Sequence, residues 1–263
     1  MKKPNILITN DDGVHAPGIR HLWKALKDKA NVTVVAPAAE QSAVGLSITI
    51  RHPLQIHKME WGEAENIWCV TGTPADCVKM ALSVILKEKP DMVVSGINRG
   101  TNAGRNVLYS GTVGGVIEAV MHEIPGIAFS CREYRAPKYE AVEHLISPVV
   151  DHLIEHRLPS GTFLNVNFPE NCKGGIRGFK FARQGKEFWG ENPDERYHPA
   201  EGHAYYWMGA KLLRFDEHEE SDIAWLMKGY ATAVPVHVGE LTDMEQYQKR
   251  KAAFEKIFVK PLS

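Results

Sequence analysis

Short apolar runs separated by single helical patterns fill the first half of the chain, and that rhythm restricts the fold more than any other feature. Ile6 to Thr9, Val32 to Ala36, Met92 to Ile97 and Ile127 to Ser130 read as strands. After the loop containing Ala16-Pro17-Gly18, Ile19, Leu22, Trp23 and Leu26 recur at i, i+3, i+4 and i+7, one face of a helix. Thr73-Pro74-Ala75-Asp76 opens a second helix, with Thr73 suited to the N-cap, Pro74 to the first helical position and Asp76 to the positive end of the dipole. Val78, Ala81, Leu82 and Ile85 supply its apolar stripe, and Pro90 prevents continuation. Val113 to Met121 reads as a third helix. Strands that alternate with single helices predict an α/β fold with a mostly parallel, doubly wound sheet.

Beyond about residue 135 the rhythm changes. Glu140 to His156 predicts a long amphipathic helix, and Thr162 to Asn167 a further sheet strand. Earlier, Ser47 to Lys58 carries alternating and β-branched residues, a pattern for a hairpin excursion. From Gly175 to Glu220 aromatics, charges and glycine dominate, including Phe188-Trp189 and Tyr205-Tyr206-Trp207, a composition for projecting hairpins rather than another βαβ unit. Thr242 to Phe258 predicts a charged terminal helix with a Thr242/Glu245 capping box and sparse apolar residues, placed at the periphery or against a partner subunit. The expected organisation is one domain over 1–263, a core over approximately 1–170, and a hairpin and helical extension for oligomerisation over approximately 175–263.

With 31 Lys and Arg against 32 Asp and Glu, the formal net charge is −1. Such a balance gives no electrostatic footprint for a nucleic-acid polymer or an anionic membrane. No apolar stretch approaches the ~18 residues of a membrane span, and Ile6-Leu7-Ile8 is too short for a signal-peptide core. Cys69, Cys77, Cys131 and Cys172 form no C-x-x-C pair, so they read as reduced, packed thiols. Cytoplasmic residence is the expectation, and Asn31-Val32-Thr33 is discounted as a glycosylation acceptor.

Asn10-Asp11-Asp12-Gly13 directly follows the first strand. Asp-Gly is ordinary turn chemistry. Two adjacent carboxylates at the end of a buried strand, however, repel one another where water screens poorly, and so invite a cation. In an open parallel sheet ligands bind beyond the carboxyl ends of the strands. The loop Pro37 to Ala43 carries Ser42, and the loop after Met92 to Ile97 carries Asn98; both belong at that same edge. Two carboxylates, a hydroxyl and an amide carbonyl are hard oxygens, suited to Mg²⁺ or Mn²⁺ with positions left for water and a substrate oxygen. Taken singly, Ser42 is an ordinary loop serine and Asn98 a turn or cap residue.

Ser110-Gly111-Thr112 offers hydroxyls, a glycine and free amides at the start of a helix, a recipe for holding phosphate, although an N-cap explains one of the hydroxyls. Neither G-x-G-x-x-G nor G-K-[ST] occurs, which speaks against dinucleotide binding and P-loop chemistry. His152-Leu153-Ile154-Glu155-His156 fits a zinc-protease pattern, but the histidines sit beside the buried stripe and a third ligand is lacking, so the segment reads as a solvated helix edge.

These pieces converge on a known family. Asn10-Asp11-Asp12-Gly13, Ala36-Pro37 with Gln41-Ser42, Gly72-Thr73-Pro74-Ala75-Asp76-Cys77, and Ser95-Gly96-Ile97-Asn98 through Tyr109-Ser110-Gly111-Thr112-Val113 resemble the SurE (survival protein E) family of metal-dependent nucleotidases. Tyr205-Tyr206-Trp207 and Asp222 through Val236 extend the similarity over most of the chain. The resemblance implies a Rossmann-like three-layer αβα core with a C-terminal swapped or interlocked dimer arm. It implies hydrolysis of nucleoside 5′- and sometimes 3′-monophosphates, and of short polyphosphate in some members. It also implies one divalent cation (Mg or Mn) per subunit on Asp11, Asp12, Ser42 and Asn98, a phosphate pocket of Asn102, Ser110, Gly111 and Thr112, and a homodimer or homotetramer. The chain departs from the pattern at Ala43, where many members carry Gly, at Val234-Pro235-Val236 in place of Thr-Pro-Leu, and before Tyr205, where the usual arginine-glycine approach is missing.

Two rival readings remain at this stage. Asp11 could be a covalent nucleophile, as in haloacid-dehalogenase-type phosphatases, although those use Asp-x-Asp where this chain has adjacent acids. The same crevice could also serve a non-catalytic nucleotide-binding module. No general acid is assigned, His15 reading as a solvated loop histidine.

Overall fold

Residues 3–170, 175–209 and 211–257 are described in a computed structural model. The first strand–helix–strand passage is β1 (Asn5–Thr9), α1 (Pro17–Leu26) and β2 (Asn31–Pro37), followed by β3 (Ile56–Trp61), β4 (Ala64–Val70) and α2 (Pro74–Met80). Next come β5 (Met92–Arg99), α3 (Gly111–Met121), β6 (Gly126–Cys131), α4 (Glu143–Glu155) and β7 (Thr162–Phe168). The remainder holds β8 (Phe179–Phe181), β9 (Phe188–Gly190), β10 (Asp194–Tyr197), β11 (Ala204–Trp207), β12 (Lys211–Leu213), α5 (Asp222–Met227), β13 (Ala231–His237) and α6 (Met244–Ile257).

Nine strands form one sheet in the order β3-β4-β2-β1-β5-β6-β7-β13-β8. The run from β4 to β7 is parallel, as the alternation predicts, with β3 and β13 each antiparallel to their inner neighbours β4 and β7. Side chains alternate between the two faces. Ile6 and Ile8 pack with Ile19, Leu22 and Leu26 of α1 and with Ile146, Val150 and Leu153 of α4. Leu7, between them, packs with Val35, Val93, Cys77 and Val78 on the side of α2, where Ala119 of α3 joins. The result is three layers, αβα.

The topology places the crevice. From β1 the chain moves through α1 to β2 on one side; from β4 it passes through α2 to β5 on the other side of β1. Strand order therefore reverses between β1 and β5, the position at which open α/β sheets bind ligands.

Several expectations shift. Within Ser47 to Lys58 only Ile56 onward is strand, and the hairpin is β3–β4, whose inner strand is ordered by pairing with β2. The helix after Thr73 is α-helical to Met80 and then opens into a π-turn over Ala81–Ile85, where Leu86 N–H donates to the Ala81 carbonyl at 2.8 Å. The long helix begins with a separate 3₁₀ turn at Tyr139–Ala141. Although expected in the extension, β13 and β8 belong to the main sheet, so it does not end at residue 170. β10 and β11 form an exposed hairpin, as predicted for this stretch, while β9 pairs with β12. The terminal helix is capped by Asp243, whose Oδ1 accepts from Gln246 N–H at 3.0 Å, rather than by Thr242. Cys69, Cys77 and Cys131 are free and buried, while Cys172 and Phe258 lie outside the described residues. Among the described residues no helix is long and apolar enough to cross a membrane.

Candidate active site

Asp11 and Asp12 follow β1 directly. The Asn10 side chain donates to the Gly13 carbonyl at 3.0 Å and closes the turn, and Gln41 N–H donates to the Asp11 carbonyl at 2.7 Å, tying in the loop that carries Ser42. The Asp11 side chain is buried, and its Oδ1 accepts from the Thr112 hydroxyl. Burial pushes its carboxyl up from 3.8 to about 7; the Thr112 hydrogen bond opposes that shift and the Asp12 charge adds to it. Asp12 is also raised by burial, with the Arg99 N–H at 3.0 Å and the Arg99 charge pulling it down and Glu40 pushing it up.

Asn98 sits at the end of β5, beside β1. Its Nδ2 donates to the Gly100 carbonyl at 2.9 Å and faces Asn102 Oδ1 at 3.5 Å, which leaves Oδ1 without either contact. The register of its strand against β6 shifts between Ser95 and Asn98, around Gly96, which stands at φ +128° and where a Cβ would lie 2.3 Å from the Phe129 carbonyl oxygen. Ser42 is exposed and donates to Glu40 Oε1 at 2.6 Å; among the described residues it makes no hydrogen bond to Asp11, Asp12 or Asn98. Ala43, the residue that departs from Gly in the family pattern, adopts φ +57°, a backbone region that glycine enters more easily. Thus β1 and β5 bring Asp11, Asp12 and Asn98 to one rim, with Ser42 on the loop above them.

The phosphate candidates stand on the same side. Ser110 is the N-cap of α3, its Oγ accepting from Val113 N–H at 3.1 Å, so its hydroxyl proton is free to donate outward. Gly111 lets the helix start against Asp11: a Cβ there would lie 2.8 Å from the Asp11 Cβ. Thr112 is fully buried and spends its hydroxyl on Asp11, a partner that the sequence does not indicate. Asn102 is buried nearby, and its Nδ2 donates to Ser130 Oγ at 2.6 Å.

The donors fit a hard divalent cation. Two desolvated carboxylates stand adjacent, and Thr9 Oγ1 and Asn10 Oδ1 at the end of β1, with Ser95 Oγ opposite Thr9 on β5, are buried without hydrogen-bond partners. Among the described residues no three His, Cys, Asp or Glu side chains cluster as a metal centre, and the remaining candidates, Ser42 and Asn98, carry neutral oxygens. His152 on α4 and His156 just past its end lie exposed with ring centroids 4.6 Å apart, as a solvated helix edge would place them.

A family model, "Survival protein SurE", matches residues 6–191. The chain belongs to the SurE family. It is 56% identical over 254 residues to the 5′-nucleotidase SurE of Protochlamydia amoebophila, covering 96% of this chain and 97% of that protein. With the 5′-nucleotidase SurE of Thermosipho melanesiensis the identity is 43% over 246 residues, covering 94% and 95%. The crystal structure of the SurE protein from Aquifex aeolicus superposes with a TM-score of 0.82 at 36% identity, covering 95% of this chain and all of that one.

Other polar groups around this SurE site escape sequence reasoning. Arg99 reaches Glu40 at 3.3 and 3.4 Å and lies 4.9 Å from the Tyr134 ring centroid. Asp222, at the start of α5, is fully buried: Oδ2 accepts from Gly104 N–H at 2.9 Å, and Oδ1 from Gly185 and Ile223 N–H at 2.8 Å. Burial raises its carboxyl from 3.8 to about 6, against the pull of those three N–H groups. Asn165 and Asn167 are buried on β7. Their one sequence signal is period two, Asn-Val-Asn, which puts two amides on one face of an otherwise apolar strand.

Proposed function

We propose that this SurE-family chain is a divalent-metal-dependent phosphomonoesterase that hydrolyses nucleoside 5′-monophosphates to nucleoside and phosphate. The observation that carries the reading is the meeting of Asp11, Asp12 and Asn98 with the N-terminus of α3 at the point where strand order reverses. The substrate class follows the relatives named 5′-nucleotidase.

Asp11, Asp12, Ser42 and Asn98 would hold the cation, Mg²⁺ or Mn²⁺. When bound, it neutralises phosphate charge and makes water a better nucleophile at neutral pH. Thr112 fixes the Asp11 carboxylate by its hydroxyl, and Arg99 N–H fixes Asp12. Ser110, the Asn102 amide and the Gly111 N–H would bind phosphate oxygens as charge redistributes, donors already oriented before the substrate arrives. Self-association as a homodimer or homotetramer is part of the proposal, using the exposed aromatics Tyr205, Tyr206 and Trp207 of the β10–β11 hairpin and α6, which buries none of its residues.

The test is phosphate release from nucleoside 5′- and 3′-monophosphates and from polyphosphate, with Mg²⁺ or Mn²⁺ and with chelator. Metal-dependent release from 5′-monophosphates is the expected result. Asp11→Asn should lower kcat/KM by more than about 100-fold, beyond the usual loss for a residue behind the ligands. Near-normal turnover of that variant in saturating Mn²⁺ would remove the metal assignment, and a trapped aspartyl-phosphate would replace water with Asp11 as nucleophile. Nucleotide binding without phosphate release under either metal would leave a binding module.

A further inference from the structure

Asn98, Ser130 and Asn167 occupy one register row across three strands: Asn98 on β5 pairs with Ser130 on β6, which pairs with Asn167 on β7. Asn165 stands two residues before Asn167 on the same face, opposite Ala128. Both β7 amides are fully buried. Amides in such a place are costly unless their hydrogen bonds are made, and an apolar side chain would serve the core alone.

Their bonds converge on one residue. Asn167 Oδ1 accepts the Asn102 N–H at 2.8 Å and the Thr101 hydroxyl at 3.1 Å. Asn165 Nδ2 donates to the Asn102 carbonyl at 2.9 Å, and Asn167 Nδ2 donates to Asn165 Oδ1 at 3.2 Å. The peptide groups on both sides of the Asn102 Cα are therefore held by β7. The side chain of Asn102 is oriented in turn: its Nδ2 donates to Ser130, leaving Oδ1 toward Asn98 Nδ2. That contact, with the bond to Gly100, settles which end of the Asn98 amide is the oxygen available to a cation. A flipped Asn98 amide would present N–H₂ instead, which cannot ligate a hard metal ion.

We propose that Asn165 and Asn167 are positioning residues for the metal site, acting through Asn102 on the orientation of Asn98. This rests on the metal-dependent reading above. The chain of amides explains why a polar pair lies within the sheet two strands away from β5. It also links the metal side of the site to the phosphate side, since Asn102 serves both.

The test is Mn²⁺ binding to metal-free protein, followed by the electron paramagnetic resonance signal of free Mn²⁺, for wild type, Asn167→Ala, Asn102→Ala and the double variant. Asn167→Ala should raise the Mn²⁺ dissociation constant about 10- to 100-fold while circular dichroism stays native. The double variant should bind no more weakly than the weaker single one, because both act on the same amide. Should Asn167→Ala fail to fold, Asn165→Ser gives the same comparison: it loses the bond to the Asn102 carbonyl, leaves those accepted by Asn167 Oδ1, and is expected to shift binding less. A folded variant that binds Mn²⁺ within twofold of wild type, or losses that multiply in the double variant, overturns the positioning role. Wild type that neither binds Mn²⁺ nor releases phosphate overturns the functional reading itself, a separate outcome.

Discussion

Asp11 joins the electrostatics of this chain to its chemistry. Its carboxyl is buried and raised from 3.8 to about 7, so near neutral pH a large share of the metal-free protein carries a proton there. The sign follows from the direction of the shift. Between about pH 4 and about pH 7 the folded state keeps a proton that the unfolded chain has released, so stability from this group is greatest below 3.8 and declines as pH rises to about 7. A cation must displace that proton. Apparent Mn²⁺ affinity is therefore expected to fall as pH drops below about 7, approaching about tenfold per unit toward pH 5. Asp12, raised as well, can only steepen the fall. Mn²⁺ titrations across that range check the slope, and affinity that stays level down to about pH 5 would show that no cation displaces a proton from a raised Asp11 carboxyl. The aspartate pair was legible in the sequence because repulsion between neighbours needs no tertiary knowledge. Its strongest partner, Thr112, is a hundred residues away and was not.

At the scale of the element, the start of α3 decides how closely the proposed phosphate site approaches the aspartates. Gly111 is the first helical residue, and a Cβ there would stand 2.8 Å from Asp11 Cβ and 3.1 Å from Asp11 Oδ2. Intrinsic helix propensity favours Ala over Gly by about 1 kcal/mol. Against that gain, the methyl group must move a buried carboxylate or the helix terminus, a strain costing about 1–3 kcal/mol in packed surroundings. Gly111→Ala should therefore leave stability unchanged or lower by up to about 2 kcal/mol in urea unfolding, while kcat/KM falls well beyond what stability explains. A variant with higher stability and full activity would show that the contact is relaxed at no cost. Caps of this kind were readable where the rule is local. Thr73 and Asp76 form a reciprocal capping box, with Asp76 also reaching Thr49. The π-turn after Met80 and the choice of Asp243 over Thr242 depend on how each helix end meets its surroundings, which a single sequence does not state.

Across the whole molecule, the parallel half was legible from its alternating runs, whereas the order β7-β13-β8 at the far edge was not. β13 pairs with a strand about 70 residues earlier, and a period-two pattern carries no address for its neighbour. Asp222 marks the same gap. It closes the last third of the chain onto the loop behind Asn102, its two oxygens receiving N–H groups from Gly104, Gly185 and Ile223. Asp222→Ala strands three buried donors, each worth about 1 kcal/mol or more when unmet, so a loss of about 3 kcal/mol or more is expected in urea unfolding. The loss should depend on pH with a definite sign. Since the Asp222 carboxyl is raised from 3.8 to about 6, its contribution to wild-type stability falls as pH climbs between those values, and the gap to the Ala variant should narrow from about pH 4 to about pH 6 and then stay level. Asp222→Asn keeps one acceptor but turns an N–H₂ toward N–H donors, and should lie between the two with no such slope. A pH-independent loss would mean that Asp222 is already ionised at pH 5, and a loss below about 1 kcal/mol would mean that water replaces the carboxylate and the C-terminal third is tied down elsewhere.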